Sequence, residues 1–338
     1  MIPNINQDGT WRDLTKQKNS SADISPTAGQ MPRLLGLAYA SKLFRQNTDL
    51  HNYDTLSVKG NEVAFGSIGD ASTSEGHFWE TMNAAGVLQV PMAVTVYDDG
   101  YGISVPKKYQ TTKGSISDIL KGFENEPGKP GIVIYKGKGW DYPGLLSLYG
   151  EGIEVCRKEH VPVLFHIEEV TQPLGHSTSG SHERYKSEER LQWEHDFDPI
   201  IKMKQWIVSE GIASEEELGQ IMVQAEEEAK EARKKAWDLF QQPIKVERDA
   251  LVRIINERPC QCDEESKESS IQKIADDLSK VIVPIRRDNF MAARKILRNV
   301  CDTCGRADGL KAELNSWLER NYADAEQSYN SFLYNSKQ

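Results

Sequence analysis

Two short stretches carry residues suited to holding a hard cation. Gly69-Asp70 ends one apolar run, and Asp99, 29 positions further on, sits in the turn Asp98-Asp99-Gly100-Tyr101-Gly102 that follows another. A Mg²⁺ ion takes oxygen ligands in an octahedron, commonly one or two carboxylates completed by carbonyls, water and substrate phosphates. Two aspartates, with Gly69, Gly100 and Gly102 letting the backbone come in close, supply half of such a shell. Asp and Gly populate turns everywhere, so neither turn has chemical content by itself. The chemistry lies in the pair.

The elements around them explain how the pair is positioned. Glu62 to Ile68 and Pro91 to Val96 are short apolar runs rich in strand formers. Between them Ser72 to Leu88 places Phe78, Met82, Ala85 and Val87 near one helical face, with Ser72 or Thr73 available as a cap. A short helix around Ser115 to Phe123, a strand at Gly131 to Tyr135, a helix at Tyr142 to Arg157 and a strand at Val161 to Ile167 continue the rhythm. This alternation predicts an α/β fold, a mainly parallel sheet with helices on both faces. Both turns then fall at the carboxyl ends of strands, where open sheets bind ligands.

Upstream, Ser25-Pro26 opens a stretch with Leu34, Leu35, Leu37, Ala38, Ala40 and Leu43 at helical spacing; its first residues are small, so backbone there can approach a ligand. Downstream, Val170 to Lys186 is rich in Ser, Thr, Gly and His without apolar period and reads as an exposed loop, with His182 and His195 as surface residues. From Asp198-Pro199 the chain turns helical, and Ser214 with Glu217 makes a capping box. Beyond about Gln242 the composition shifts, and Ile271 to Tyr334 holds two or three amphipathic helices. The resulting boundaries are residues 1–24 (irregular), 25–200 (α/β domain), 201–258 (helical extension) and 259–338 (helical connector or tail).

With 338 residues and a net charge of −10, the chain can bury a large core and lacks the clustered positive charge that a nucleic-acid or anionic-membrane surface requires. No apolar run reaches membrane-spanning length and no secretory signal is visible, which gives a cytoplasmic location by default. The five cysteines are too unevenly placed for a disulfide framework. Cys260-x-Cys262 and Cys301-x-x-Cys304 could supply four thiolates to zinc, but the spacing is not a standard one, and reduced thiols are expected.

The stretches SPTAGQMP, GDASTSEG and DDGYGISVP, in this order, together with the later GHSTS at Gly175 to Ser179, resemble the thiamine-diphosphate-dependent 2-oxo acid dehydrogenases. The likeness is to the alpha-type part of the decarboxylating component, nearest the branched-chain (2-oxoisovalerate) type, and covers roughly Ser20 to Phe240. It implies the thiamine-diphosphate-binding fold. It further implies that Asp70 and Asp99 hold Mg²⁺ by their side chains and Tyr101 by its carbonyl, that Gly69, Ala71 and Ser72 line the diphosphate, and that Ser25 and Thr27 meet the aminopyrimidine. His176 takes the place of the family's active-site histidine, beside the diphosphate and the reacting carbon.

The activity implied is decarboxylation of a 2-oxo acid and acyl transfer to a lipoyl group. The implied partners are a beta-type subunit or domain, together forming a heterotetramer, and a lipoyl-bearing acyltransferase. The family's further helical region before this point and its beta-type domain have no counterpart here, so the sequence is expected to be a portion of a fused alpha/beta protein or a truncated alpha part. Two other readings stay open: a non-catalytic fragment or scaffold subunit of the same fold, and a transketolase-like thiamine-diphosphate enzyme.

Overall fold

The structure, a computed structural model, describes residues 4–19, 26–176, 181–257, 265–301 and 307–330. The chain divides near Leu218 into two compact units.

In the first unit the helices are α1 (Met31–Gln46), α2 (Gly76–Leu88), α3 (Ile116–Leu120), α4 (Tyr142–Glu159), α5 (Glu188–Asp196) and α6 (Pro199–Ser209). The strands are β1 (Ala64–Gly69), β2 (Met92–Tyr97), β3 (Tyr101–Gly102), β4 (Val105–Pro106), β5 (Val133–Lys138) and β6 (Val163–Glu168). β1, β2, β6 and β5 lie side by side in that order, every pairing parallel, and β3 with β4 forms a small antiparallel hairpin. From β1 to β2 the chain steps one way across the sheet through α2, and from β5 to β6 it steps back through α4. Right-handed crossovers in opposite directions put those helices on opposite faces.

The period of two along each strand decides which side chain meets which face. Met92, Val94 and Val96 of β2 and Leu164 of β6 join Leu34 and Ala38 of α1, Phe78, Met82 and Ala85 of α2, and Ile116 and Leu120 of α3. Ala93 of β2 with Val163, Phe165 and Ile167 of β6 packs against Cys156 of α4. By the same alternation His166 belongs to the first face, between Leu164 and Glu168.

The second unit is helical: most of α7 (Glu215–Glu257), then α8 (Glu265–Ser279), α9 (Arg286–Asn299) and α10 (Ala307–Tyr329). Leu251 and Ile255, Ile271 and Ala275, Ala293 and Ile296, and Leu314 and Trp317 form one core from the four helices. The Trp317 indole N–H donates to the Glu247 carbonyl at 3.2 Å, and Arg286 meets Glu247 at 2.9 Å. The composition shift beyond Gln242 does not end a helix, for α7 runs through Pro243. Cys156 and Cys301 are buried thiols in no disulfide, while Cys260, Cys262 and Cys304 of the zinc reading lie outside the described residues. Among the described residues no helix is long and apolar enough to cross a membrane.

Two local expectations need correction. The segment after Asp70 is not the first turn of α2: Ala71–Ser74 forms a 3₁₀ turn, and α2 begins at Gly76 after an extended Glu75 (φ −75°, ψ 141°). Neither Ser72 nor Thr73 caps α2; the Thr73 hydroxyl donates back to the Asp70 carbonyl at 2.5 Å. The loop from Val170 to Lys186 is also not exposed throughout. His182 keeps 11 % of its side-chain exposure, and Lys186 keeps 2 % because its ammonium is paired with Glu194 at 2.7 Å.

Candidate functional site

The carboxyl ends of β1, β2 and β6 meet in one ladder. Asp70 N–H donates to the Tyr97 carbonyl at 3.0 Å and Asp98 N–H to the Ile167 carbonyl at 2.9 Å, so both aspartates leave adjacent strands at one edge. The 3₁₀ turn Ala71–Ser74 folds over one end, and the β3–β4 hairpin closes the other, with Lys107 N–H on the Gly100 carbonyl. The two turns press together at a point that tolerates no side chain: a Cβ at Gly102 would sit 2.8 Å from the Ala71 Cβ. Gly100 turns the chain at φ +83°, a conformation natural to glycine.

Three carboxylates converge there, and they differ in what surrounds them. Asp98 is 2 % exposed. Its Oδ2 takes the Lys107 ammonium at 2.6 Å and faces His166 Nε2 at 3.1 Å, and its Oδ1 accepts from Gly100 N–H at 3.0 Å. Burial alone would raise its pKa, but His166 and Lys107 together hold it below the usual carboxylate range. Asp99 is half-buried; its Oδ1 accepts from Tyr101 N–H at 3.0 Å, and burial pushes its pKa up.

Asp70 is the least compensated. It is 2 % exposed, and its Oδ2 has no hydrogen-bond partner. Burial, and then the charges of Asp98 and Asp99, push its pKa to about 7. A buried carboxylate oxygen with no donor, beside two further carboxylates, is an arrangement that a bound cation resolves.

Positive groups ring the aspartates. Arg190 of α5 donates through Nη2 to the Asp99 carbonyl at 2.8 Å and through Nε to Glu194 at 2.8 Å, tying α5 to the turn. Glu194 also takes Lys186, and Lys186 and Arg190 both favour the ionised form of Asp99. The Tyr101 ring stands 5.7 Å from that of Tyr185. His166 Nδ1 meets Ser117 Oγ at 2.9 Å, which extends the buried polar chain into α3. Among the described residues, Asp98, His166 and Glu168 bring metal-capable atoms within mutual reach, but Lys107 already satisfies the Asp98 oxygen involved.

Of the residues singled out in the sequence, Gly69, Asp70, Ala71, Ser72, Asp99 and Tyr101 come together at this edge. Thr27, just before α1, donates its hydroxyl to Glu75 Oε1 at 2.5 Å, and Ala28 N–H donates to Glu75 Oε2 at 3.1 Å, so the start of α1 is moored to the segment after Asp70. Ser25 lies outside the described residues, as do Ser177, Thr178 and Ser179. His176 is exposed, following Gly175, whose N–H bonds the Gln172 carbonyl. The other loop histidine, His182, packs against Gly175 and points its Nδ1 at Lys186 Nζ, 3.4 Å away.

Sequence reasoning missed Glu75, Lys107, His166, Lys186 and Arg190. One signal was present for His166, an ionisable residue inside the apolar run Val163–Ile167 at the parity of inward-facing Leu164. Lys107, Lys186 and Arg190 carry no spacing signal.

A model of the family described as "Dehydrogenase E1 component" matches residues 8–245. The 2-oxoisovalerate dehydrogenase subunit alpha 1, mitochondrial, of Arabidopsis thaliana is 28% identical over 235 residues, which is 69% of this chain and 43% of the relative. The 2-oxoisovalerate dehydrogenase subunit alpha, mitochondrial, of Mus musculus is 27% identical over 246 residues, 71% of this chain and 49% of the relative. The 3-methyl-2-oxobutanoate dehydrogenase subunit alpha of Mycobacterium tuberculosis is 31% identical over 177 residues, 52% and 45% respectively. The chain thus spans about half the length of the curated relatives it matches.

Proposed function

The chain belongs to the dehydrogenase E1 component family, and we propose that it is the alpha-type part of a component that decarboxylates a 2-oxo acid with thiamine diphosphate and Mg²⁺ and passes the acyl group to a lipoyl group. The observation that carries this reading is the partnerless Asp70 Oδ2, buried at a strand end beside Asp99. Its chemistry suits a hard divalent cation: a carboxylate oxygen with no donor, shielded from water, next to a second carboxylate. Asp70 and Asp99 hold the ion through their side chains and Tyr101 through its carbonyl. The carboxylate of Asp98 is kept out of this role by Lys107 and His166.

Gly69, Ala71 and Ser72 line the diphosphate, and Ser25 and Thr27 meet the aminopyrimidine. Glu75 holds Thr27 by its hydroxyl, which orients that segment. When bound, thiamine diphosphate supplies the carbon nucleophile and the electron sink that loss of CO₂ requires. His176, on the exposed loop, moves a proton or stabilises charge at the reacting carbon. Lys186 and Arg190 favour the ionised form of Asp99 against its burial, and Arg190 ties its turn to α5.

A branched-chain 2-oxo acid as substrate and a beta-type subunit as partner are proposed from the relatives' names, since two are 2-oxoisovalerate dehydrogenases and all three are alpha subunits; a lipoyl-bearing acyltransferase as acceptor follows from the acyl transfer proposed above. Calorimetry with thiamine diphosphate and Mg²⁺, in the presence of the beta-type partner, tests the reading. Heat of binding together with a raised unfolding temperature is expected; neither signal at saturating ligand overturns it. Turnover of 2-oxo acids but not of a sugar phosphate separates it from a transketolase-like activity. Binding without any turnover assigns the chain a non-catalytic role.

A further inference from the structure

Helix α7 carries a long segment that is exposed on every side. Every residue from Gln220 to Phe240 is exposed, a length of about 30 Å at 1.5 Å per residue. The surface is not uniformly polar. Met222, Ala225, Ala229, Ala232, Ala236 and Leu239 recur at alternating steps of three and four, the spacing of a helix–helix seam. Ile221 and Phe240 border the two ends of this stripe. Large apolar side chains stand open there, with Ile221 58 %, Met222 46 %, Leu239 60 % and Phe240 54 % exposed. A helix in water does not hold such a stripe to solvent without a partner that covers it.

The charges beside the stripe identify the partner. Glu226, Glu227 and Glu228 lie on the N-terminal side of the segment's centre, and Arg233, Lys234 and Lys235 on the C-terminal side. Among the described residues no ion pair engages those three cations, and Glu226 has only a 3.7 Å contact with Lys230. The pattern is a palindrome of opposite charge about a point between Lys230 and Glu231. Turned end for end on a copy of itself, the stripe falls into register: Met222 meets the partner's Leu239, Ala225 the partner's Ala236, and Ala229 the partner's Ala232. The flanks then place Glu226 beside the partner's Arg233 and Glu228 beside the partner's Lys235, each pair occurring twice by symmetry. The alanine layers let the helix axes approach closely, and the larger residues close each end. A parallel pair would instead set the glutamate clusters side by side and align the two helix dipoles.

We propose that the exposed segment of α7 between Gln220 and Phe240 is a self-complementary interface at which two copies of this chain associate through antiparallel helices. A C2 contact of this kind uses the same patch on both copies, as closed dimers do. The proposal does not depend on the cofactor reading, because no residue of the aspartate site takes part.

Analytical ultracentrifugation of the full chain reads it directly. The wild type is expected to sediment at about twice its 38.1 kDa at micromolar concentration. The variant Glu226→Arg/Glu228→Lys and the variant Arg233→Glu/Lys235→Glu each become self-repelling and are expected to run as monomers. An equimolar mixture of the two is expected to recover the dimer, because each flank then faces its opposite. All four positions are exposed, so circular dichroism should stay unchanged. A carbodiimide should also link Glu228 to Lys235 between ¹⁴N-labelled and ¹⁵N-labelled chains. A wild type that stays monomeric up to about 100 μM, a dimer indifferent to both variants, or two variants that do not recover association when mixed would each overturn the proposal; the first would leave the face to a different chain.

Discussion

His166 Nε2 lies 3.1 Å from Asp98 Oδ2, both side chains being buried, and this contact divides the labour among the three clustered aspartates. With Lys107 it holds the Asp98 carboxyl below the usual carboxylate range from inside the protein. Asp70, one strand over, receives no such donor. The uncompensated charge is therefore concentrated where a cation would be welcome.

The first prediction concerns stability. The Asp70 pKa is raised from its ordinary 3.8 to about 7 in the folded chain. The folded state therefore keeps a proton that the unfolded chain releases, and stability falls as pH climbs through the interval between those values. Asp70→Asn removes the penalty. At pH 8, without metal, it should stabilise the chain by about 1–3 kcal/mol, the usual cost of an unsatisfied buried polar group, and at pH 4 by much less. Urea titrations at the two pH values measure this, and an equal effect at both would mean that Asp70 is not ionising in the fold.

The same group couples metal to protons. A carboxylate with a pKa near 7 must shed its proton to bind a cation. Mg²⁺ uptake with thiamine diphosphate should release close to one proton at pH 6 and almost none at pH 8.5, and affinity should climb with pH up to about 7 and then level. Calorimetry in buffers of different ionisation enthalpy counts these protons. Uptake of protons, or none at either pH, would exclude Asp70 as the responsible ligand.

Asp99 is tested by substitution. Asp99→Ala should weaken metal-dependent thiamine diphosphate binding by about 100-fold or more, whereas Asp99→Asn, which keeps one oxygen donor, should stay within about 10-fold of the wild type. The Tyr101 N–H that now donates to Asp99 Oδ1 can still be accepted by the amide. Equal binding by the wild type and the alanine variant removes Asp99 from the site.

Lys107→Met leaves Asp98 buried with His166 as its remaining side-chain partner. Because Lys107 is 26% exposed, the cost should fall below that of a fully buried pair, at about 1–3 kcal/mol. Adding Asp98→Asn should return most of it, since the amide needs no counter-charge. A double-mutant cycle on chemical denaturation gives the coupling, and a value near zero would show that the pair is screened.

Much of this site could be read from local sequence. The alternation of apolar runs and helical periods gave the parallel sheet, and Gly69-Asp70 with Asp98-Asp99-Gly100 marked two strand ends. What stayed hidden depends on parity and long-range pairing. Asp98 and His166 are 68 residues apart, and they meet because β2 and β6 are neighbours in a register that no local pattern records. Lys186 reads as a loop residue until Glu194, in the second turn of α5, is seen to pair with it in the interior. The start of α2 was misplaced because Ser72 and Thr73 look like caps, whereas the extended backbone at Glu75 turns that carboxylate toward Thr27 and breaks the helix there. The composition shift beyond Gln242 marks no helix end, because α7 continues through Pro243 to pack downstream at Leu251 and Ile255.

The contact of Gly102 with Ala71 gives the last prediction. A methyl group at Gly102 would stand 2.8 Å from the Ala71 Cβ and would also crowd the Gln110 side chain. Gln110 has a flexible end and can give way. Ala71 is fixed between Asp70 and the 3₁₀ turn, and can move only by carrying the Asp70 backbone with it. In Gly102→Ala the strain should therefore spread the two aspartate turns apart more than it unfolds the domain. Unfolding temperature should fall by a few degrees, in line with about 1–2 kcal/mol of overpacking, while affinity for thiamine diphosphate with Mg²⁺ should drop by about 10-fold or more. Gln110→Ala, which relieves the crowding on one side, should not restore that affinity when combined with it. Restoration by Gln110→Ala would place the strain in the hairpin rather than between the two turns, and would show that the contact of Gly102 with Ala71 does not set the spacing of Asp70 and Asp99.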